Sequence, residues 1–356
     1  MNHDAVQNGI QNTLLATLQR WQYMAPCLGT QVSLWSEVTG LWHGVAGYES
    51  LEPLVPFKAQ STTYSYSITK VFVAFCILKS VEQGLCALDD AVGEYLRGDA
   101  PGYKLSESIT VRALLGHRTT LKNYTALKNY PAAVKKHPHL AWSETEFVAQ
   151  LPWQDAEATE NFVYNNTGYY LLRKLLEALH DASFDEVLQH MVCEPLGLRH
   201  TRAVTTAGQT LPGYTRDLHP EHIMENMADH YDPKWCYTGL VASTPEDVVL
   251  FYQALFKGNL LSAPLLKHML THRSIGHAAP FFENPGYGLG VMIDLDASGQ
   301  CRLMGHGGSG PGFNTWSAYY PQAEVILCIF CNTEMANHPF YLAQDLLRVC
   351  LNEPLP

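Results

Sequence analysis

The chain has 356 residues, 47% hydrophobic and 16% charged, enough apolar content for one large core or two linked ones. Its 23 Lys and Arg face 34 Asp and Glu, and the resulting net charge of −11 excludes the basic surface that a nucleic-acid partner requires. No run approaches the roughly 18 apolar residues of a membrane helix, and the opening Met1-Asn2-His3-Asp4 lacks the charged and apolar regions of an export signal, so a cytoplasmic location is the default expectation.

The first helix is expected over residues 5–21, where Leu14, Leu15, Leu18 and Trp21 recur at helical spacing. Gln31–Glu37 and Leu41–Gly47 read as strands joined by a tight turn at Val38–Gly40. A continuous apolar run, Val71–Leu78, belongs to a buried helix that opens at Ser67 and ends near Gly84; Leu88–Leu96 is a short amphipathic helix or turn. Between about 100 and 230 strand signals fade. Thr110–Leu115, Ser143–Leu151, Thr167–His180 and Phe184–Met191 have helical periodicity, with Ser143 and Glu146 placed for a capping box. Ala203–Lys234, rich in His, Pro, Gly and charge, reads as loop or crossover. Strands return at Gly288–Asp294, Gln300–Met304, Thr315–Tyr320 and Val325–Cys331, with helices at Pro245–Phe256 and Tyr341–Leu351. The expected fold is α/β (α+β). Residues 1–95 and 235–356 form an antiparallel sheet flanked by helices, residues 96–234 form a mainly helical insertion, and the cleft lies between.

Three stretches carry chemistry. Ser67-Ile68-Thr69-Lys70 places a hydroxyl and an amine one helical turn apart on one face, at the end of a helix whose dipole favours developing negative charge. A serine hydroxyl becomes a nucleophile only when a neighbouring base takes its proton. Tyr164-Asn165-Asn166, where a loop enters a helix, offers a phenol that as phenolate could act as that base, and an amide that can hold Lys70 and a substrate. Gly305-His306-Gly307-Gly308-Ser309-Gly310, between a predicted strand and a loop, lets a substrate approach the backbone. There the Ser309 amide could pair with that of Ser67 as an oxyanion hole, and His306 could donate a hydrogen bond to substrate or to Tyr164.

In order and spacing these motifs resemble the serine β-lactamase and penicillin-binding-protein superfamily, within it the branch of class C β-lactamases, DD-peptidases and esterases. Val81–Leu85 with Leu88–Asp90, Ile109–His117, Gly239–Asp247 and Gly310–Phe313 are similar to the stretches between that family's motifs. The resemblance implies a helical domain on an antiparallel-sheet domain, with Ser67, Lys70 and Tyr164 catalytic and Asn166, His306, Gly307, Gly308 and Ser309 binding substrate. It implies a serine hydrolase acting through an acyl-enzyme on a small ester, amide or peptide, without cofactor. The departures are Arg118-Thr119-Thr120-Leu121 after His117, where the family shows a Thr-Ser-Gly-Leu type turn, and His306 where many β-lactamases carry Lys. His is partly charged near neutrality and Lys is a permanent cation. The second departure therefore puts esterase, DD-peptidase or D-aminopeptidase activity ahead of β-lactam hydrolysis.

Other readings fit less. Gly305-x-Gly307-x-x-Gly310 has the outline of a dinucleotide fingerprint, and Tyr170 and Lys174 that of a dehydrogenase pair, but Pro311 and a strand follow where a helix should. Pro311 also breaks a nucleophile elbow at Ser309. His268 and His272, and His137 and His139, lack a His-Glu-x-x-His arrangement and require no metal. The nine Cys are scattered; the close pair Cys328 and Cys331 lies in a strand, where residues three apart face opposite ways, and reads as reduced core thiols. The rival from another class is a non-catalytic binding or assembly module on the same fold.

Overall fold

The computed structural model describes residues 3–25, 27–96, 105–153, 156–218, 224–227, 230–334 and 338–355. Helix α1 (His3–Met24) precedes strands β1 (Gly29–Ser36), β2 (Gly40–Leu51), β3 (Leu54–Pro56) and β4 (Thr63–Tyr64), then a 3-10 turn at Tyr66–Ile68 and helix α2 (Thr69–Glu82). The helical region comprises α3 (Val92–Tyr95), α4 (Val111–Leu115), α5 (Asn129–Lys136), α6 (Glu144–Ala149), α7 (Asn166–His180), α8 (Phe184–Leu188) and α9 (Glu194–Leu196). Short strands β5 (Arg202–Ala203), β6 (Tyr214–Thr215), β7 (Glu225–Asn226) and β8 (Val241–Ser243) lead to α10 (Pro245–Tyr252) and α11 (Ala263–Met269). The chain closes with β9 (Asn284–Tyr287), β10 (Met292–Leu295), β11 (Cys301–Gly310), β12 (Phe313–Tyr320), β13 (Val325–Cys331) and α12 (His338–Cys350).

Eight strands form one antiparallel sheet in the order β3-β2-β1-β13-β12-β11-β10-β9, so the two ends of the chain meet where β1 pairs with β13, Val32 opposite Ile329. Every residue of β13 is buried because helices cover both faces. Val325, Leu327, Ile329 and Cys331 pack toward Leu14 and Leu18 of α1 and Leu342 and Leu346 of α12. Ile326, Cys328 and Phe330 pack on the other side, in the cluster that holds α2 and α10. The period-2 alternation of a strand thus separates Cys328 from Cys331, as expected. Helix α2 is apolar all round, with Val71 through Leu78 fully buried, and such a helix belongs at a molecular centre. Phe72 stacks on Phe251 of α10 at 4.4 Å, and α7 lies against the opposite side of α2.

The capping box at Ser143 and Glu146 is present, and a second occurs at Ser183 and Glu186. Three expectations need correction. Of the strand expected over Gly288–Asp294 only Met292–Asp294 is strand, at the start of β10, because the chain turns from β9 into β10 at Gly288–Val291 with Gly290 at φ 85°. The stretch from 203 to 234 contains β5, β6 and β7, two-residue strands too short to leave a periodic signature. The strand expected to end at Met304 runs on to Gly310: the glycine-rich stretch from 305 to 310 is the second half of β11, paired residue by residue with β12.

Candidate active site

Ser67 sits in the 3-10 turn ahead of α2, and the turn is held in an uncommon backbone state. Tyr66 has φ 45°, in the left-handed region that costs a bulky residue strain. Its ring is buried, and its hydroxyl donates to the Pro311 carbonyl at 2.5 Å. A Cβ on Gly310 would overlap the Tyr66 ring, so a glycine there lets β11 close on the turn. One turn later Lys70, only 2% exposed, donates to Ser67 Oγ at 3.1 Å and to Asn166 Oδ1 at 2.8 Å. A buried ammonium needs such acceptors. The rings of Tyr164 and Tyr169 add further negative potential, 4.9 and 5.3 Å from Nζ. Among the described residues no carboxylate lies within ion-pairing distance of Lys70.

Tyr164 precedes α7 and donates to Ser67 Oγ at 2.9 Å, so the hydroxyl of Ser67 is held from two sides. The loop after His117 fixes this second motif. Asn165 caps α7 by accepting from the Gly168 amide and donates its own amide to the Leu121 carbonyl. Thr167 bonds the Lys122 carbonyl at 2.7 Å, and the Asn166 backbone donates to Asn123 Oδ1 at 3.1 Å. His117 Nδ1 accepts from the Asn165 amide at 3.1 Å while its ring packs on Tyr164, centroids 4.5 Å apart. Burial, with Lys70 and His306 nearby, holds the His117 imidazole well below the ordinary histidine range. The departure at Arg118 is structural: its guanidinium bridges the Glu160 and Ser274 carbonyls. Sequence reading noted His117 only as the end of a family-like stretch and missed it, with Tyr66, Tyr169 and Tyr287, as part of the site. A lone His or Tyr carries no spacing signal.

Strand β11 supplies the other side. A Cβ on Gly308 would overlap the Ser65 carbonyl oxygen and the Thr315 hydroxyl, and would lie 3.0 Å from Ser67 N, so the strand runs directly against the backbone of Ser67. Gly307, Gly308 and Ser309 line the cleft beside Ser67, with Ser309 exposed to it. His306 is fully buried. Its Nδ1 faces the Gly307 carbonyl at 2.6 Å and therefore carries the proton, which leaves Nε2 to accept from the Tyr287 hydroxyl at 3.1 Å. Burial, then the Lys70 charge, pushes its pKa down to about 3. The partial positive charge expected of His306 is thus absent at neutral pH, because desolvation disfavours the imidazolium. No hydrogen bond joins it to Tyr164; the two rings are 6.2 Å apart.

Two cavities open at Ser67. One, of about 290 Å3, is walled by Tyr66, Tyr124, Tyr130, Val134, Tyr231 and Leu240. The other, of about 540 Å3, is walled by Phe281, Phe282, Trp316 and Phe340 beyond Tyr164 and β11. Among the described residues no Asp or Glu lines either cavity, and Lys135 lines the first. A polarised hydroxyl between apolar walls, with backbone donors on one side and a phenol and an ammonium on the other, suits attack on an uncharged carbonyl.

Known proteins resemble this chain in sequence and in fold. Penicillin-binding protein 4* of Bacillus subtilis (strain 168) is 24% identical over 312 residues, spanning 83% of this chain and 66% of that protein. Across three curated relatives the match covers 40% to 71% of the relative's length. Among solved structures, a D-stereospecific amidohydrolase from Streptomyces sp. superposes with a TM-score of 0.76 at 25% identity, covering 90% of this chain and 94% of that one. The D-amino acid amidase of Ochrobactrum anthropi SV3, complexed with D-phenylalanine, superposes with a TM-score of 0.78 over 97% of this chain and 100% of its own, at 18% identity, a likeness of fold alone. A family model described as Beta-lactamase matches residues 23–348, most of the chain including all three motifs, and the chain belongs to that family.

Proposed function

We propose that the protein is a serine hydrolase that forms an acyl-enzyme on Ser67, with small apolar amides or esters of D-amino acids as substrates. The observation that carries the reading is the double hold on Ser67 Oγ by the Tyr164 hydroxyl and the Lys70 ammonium. For attack, Tyr164 gives up to solvent the proton it donates to Ser67 Oγ in the resting site, and the phenolate beside Lys70 then takes the Ser67 proton while Oγ bonds to the substrate carbonyl carbon. The amides of Ser67 and Ser309 face the developing oxyanion. Tyr164 then returns the proton to the departing amine or alcohol, and a water attacks the ester by the reverse relay. Asn166 holds Lys70 at 2.8 Å and orients it toward Ser67.

The substrate class rests on the walls. Aromatic residues flank Ser67 on both sides, which suits an apolar side chain on the substrate. The D-configuration is taken from the Streptomyces amidohydrolase, similar along nearly the whole chain. Neutral His306 offers no cation where many β-lactamases hold the lactam carboxylate, which disfavours β-lactam turnover.

The test is intact-mass labelling with a serine-reactive fluorophosphonate, followed by hydrolysis of D- and L-phenylalanine amide. One adduct on wild type, none on Ser67→Ala, and a preference for the D-amide are expected. A folded wild type that takes no label overturns the acyl-enzyme and points to the binding module; an L-preference overturns only the substrate.

A further inference from the structure

Away from the cleft, three side chains from distant parts of the sequence converge in the layer between the sheet and the terminal helices. Cys27 lies two residues before β1, Cys331 ends β13, and His338 opens α12. The two Sγ atoms and one imidazole nitrogen all lie within 4.8 Å of one another. All three residues are buried, at 5%, 0% and 4% exposure. His338 Nε2 is buried without a hydrogen-bond partner, a state native interiors avoid. The Trp21 ring meets the imidazole edge-on at 5.3 Å and confines it.

We propose that Cys27, Cys331 and His338 bind one Zn2+. Two thiolates and an imidazole form a ligand set of the softness that zinc prefers over magnesium or calcium. In a tetrahedral zinc site neighbouring ligand atoms stand about 3.5–3.8 Å apart, so these groups close on the ion by rotation of side chains. Binding replaces two S–H bonds with two Zn–S bonds and releases two protons, so the ion and the thiolates sum to zero charge inside the core. The Cys27 thiol, 3.3 Å from the Gly29 carbonyl, gives up that contact as its proton leaves. Thr30 Oγ1, 3.5 Å from Cys27 Sγ and 3.6 Å from Cys331 Sγ, is placed to donate to a thiolate. The fourth position goes to water or to a small ligand. The ion joins the start of β1, the end of β13 and the start of α12. The next two residues after His338, Pro339 and Phe340, line the larger cavity beside Ser67, so the site would also brace that wall.

The test uses the full chain, purified under reducing conditions, supplied with Zn2+ and desalted. Elemental analysis of wild type is expected to give one zinc per chain, and Cys331→Ser and His338→Ala to retain about one-tenth or less. Cys350→Ser, outside the cluster, is expected to retain the full amount. Cobalt titration of wild type answers independently of whether the variants fold, and a thiolate-to-cobalt charge-transfer band in the near ultraviolet is the expected result. Folded wild type without retained zinc and without that band overturns the site. So does a mass two units short that maps to a Cys27–Cys331 disulfide, which would make the pair a redox element.

Discussion

Lys70 and Tyr164 reach Ser67 with side chains, whereas β11 reaches it with backbone. On the helical side the groups are polar and mutually bonded: Tyr164 and Lys70 both hold Ser67 Oγ, and Asn166 holds Lys70. On the strand side His306 is sealed between Tyr287 and the Gly307 carbonyl and kept neutral. The same buried environment holds Lys70 by its acceptors and rejects a cation at His306, first because burial disfavours the imidazolium and then because Lys70 is nearby. In the mechanism proposed above, charge and proton transfer would fall to the helical side, and shape and amide donors to the strand.

Substitutions can break that division. Ser67→Ala removes the atom on which both sides converge, and kcat/KM should fall by about 10⁴ or more, to what binding and the oxyanion donors alone provide. Tyr164→Phe and Lys70→Met, on the charged side, should each lower kcat by about 10²–10⁴ with much less change in KM, read by steady-state kinetics. Equal losses in KM alone would move both residues from chemistry to binding.

On the strand side, Gly308→Ala pushes β11 away from the Ser65 carbonyl and Ser67 N, and kcat should fall by about 10²–10³ while far-ultraviolet circular dichroism stays unchanged. His306→Gln should have the smallest effect on activity at pH 7.5, since a neutral ring is replaced by a neutral amide. Its effect should appear as acid stability. The folded His306 titrates near 3 and an unfolded His near 6.5, so on acidification the unfolded chain binds a proton that the native state refuses. Stability is therefore lost as pH falls from about 6.5 toward 3, by about 2 kcal/mol from this residue at pH 5. Thermal melts at pH 7.5 and 5.0 should show a smaller decrement for His306→Gln than for wild type. An unchanged decrement would mean that His306 is not held neutral.

Much of the layout was legible because it is written in local pattern. The buried helix from Val71, the capping box at Ser143 and the final strand Val325–Cys331 have periods or caps that depend only on near neighbours in sequence. The three motifs were legible by order and residue type, and the structure brings Ser67, Lys70, Tyr164 and Asn166 within hydrogen-bonding reach in a chain of contacts. The expected strand stops at Met304 because glycine weakens a strand signal, whereas at Gly305–Gly310 the missing side chains let the strand press on the Ser67 turn. His117, Tyr169 and Tyr287 gave no signal because each acts through a partner more than ten residues away.

From the sequence by itself came the sheet-and-helix architecture and the residues able to do acyl transfer, since periodicity and side-chain chemistry are properties of short stretches. The charge state of His306 was decided by tertiary structure, because desolvation depends on what surrounds a group from every side. So was the pairing of Cys331 with Cys27 and His338 in place of its sequence neighbour Cys328: strand alternation sends the two near cysteines to opposite faces, and the β1–β13 register brings the distant ones together.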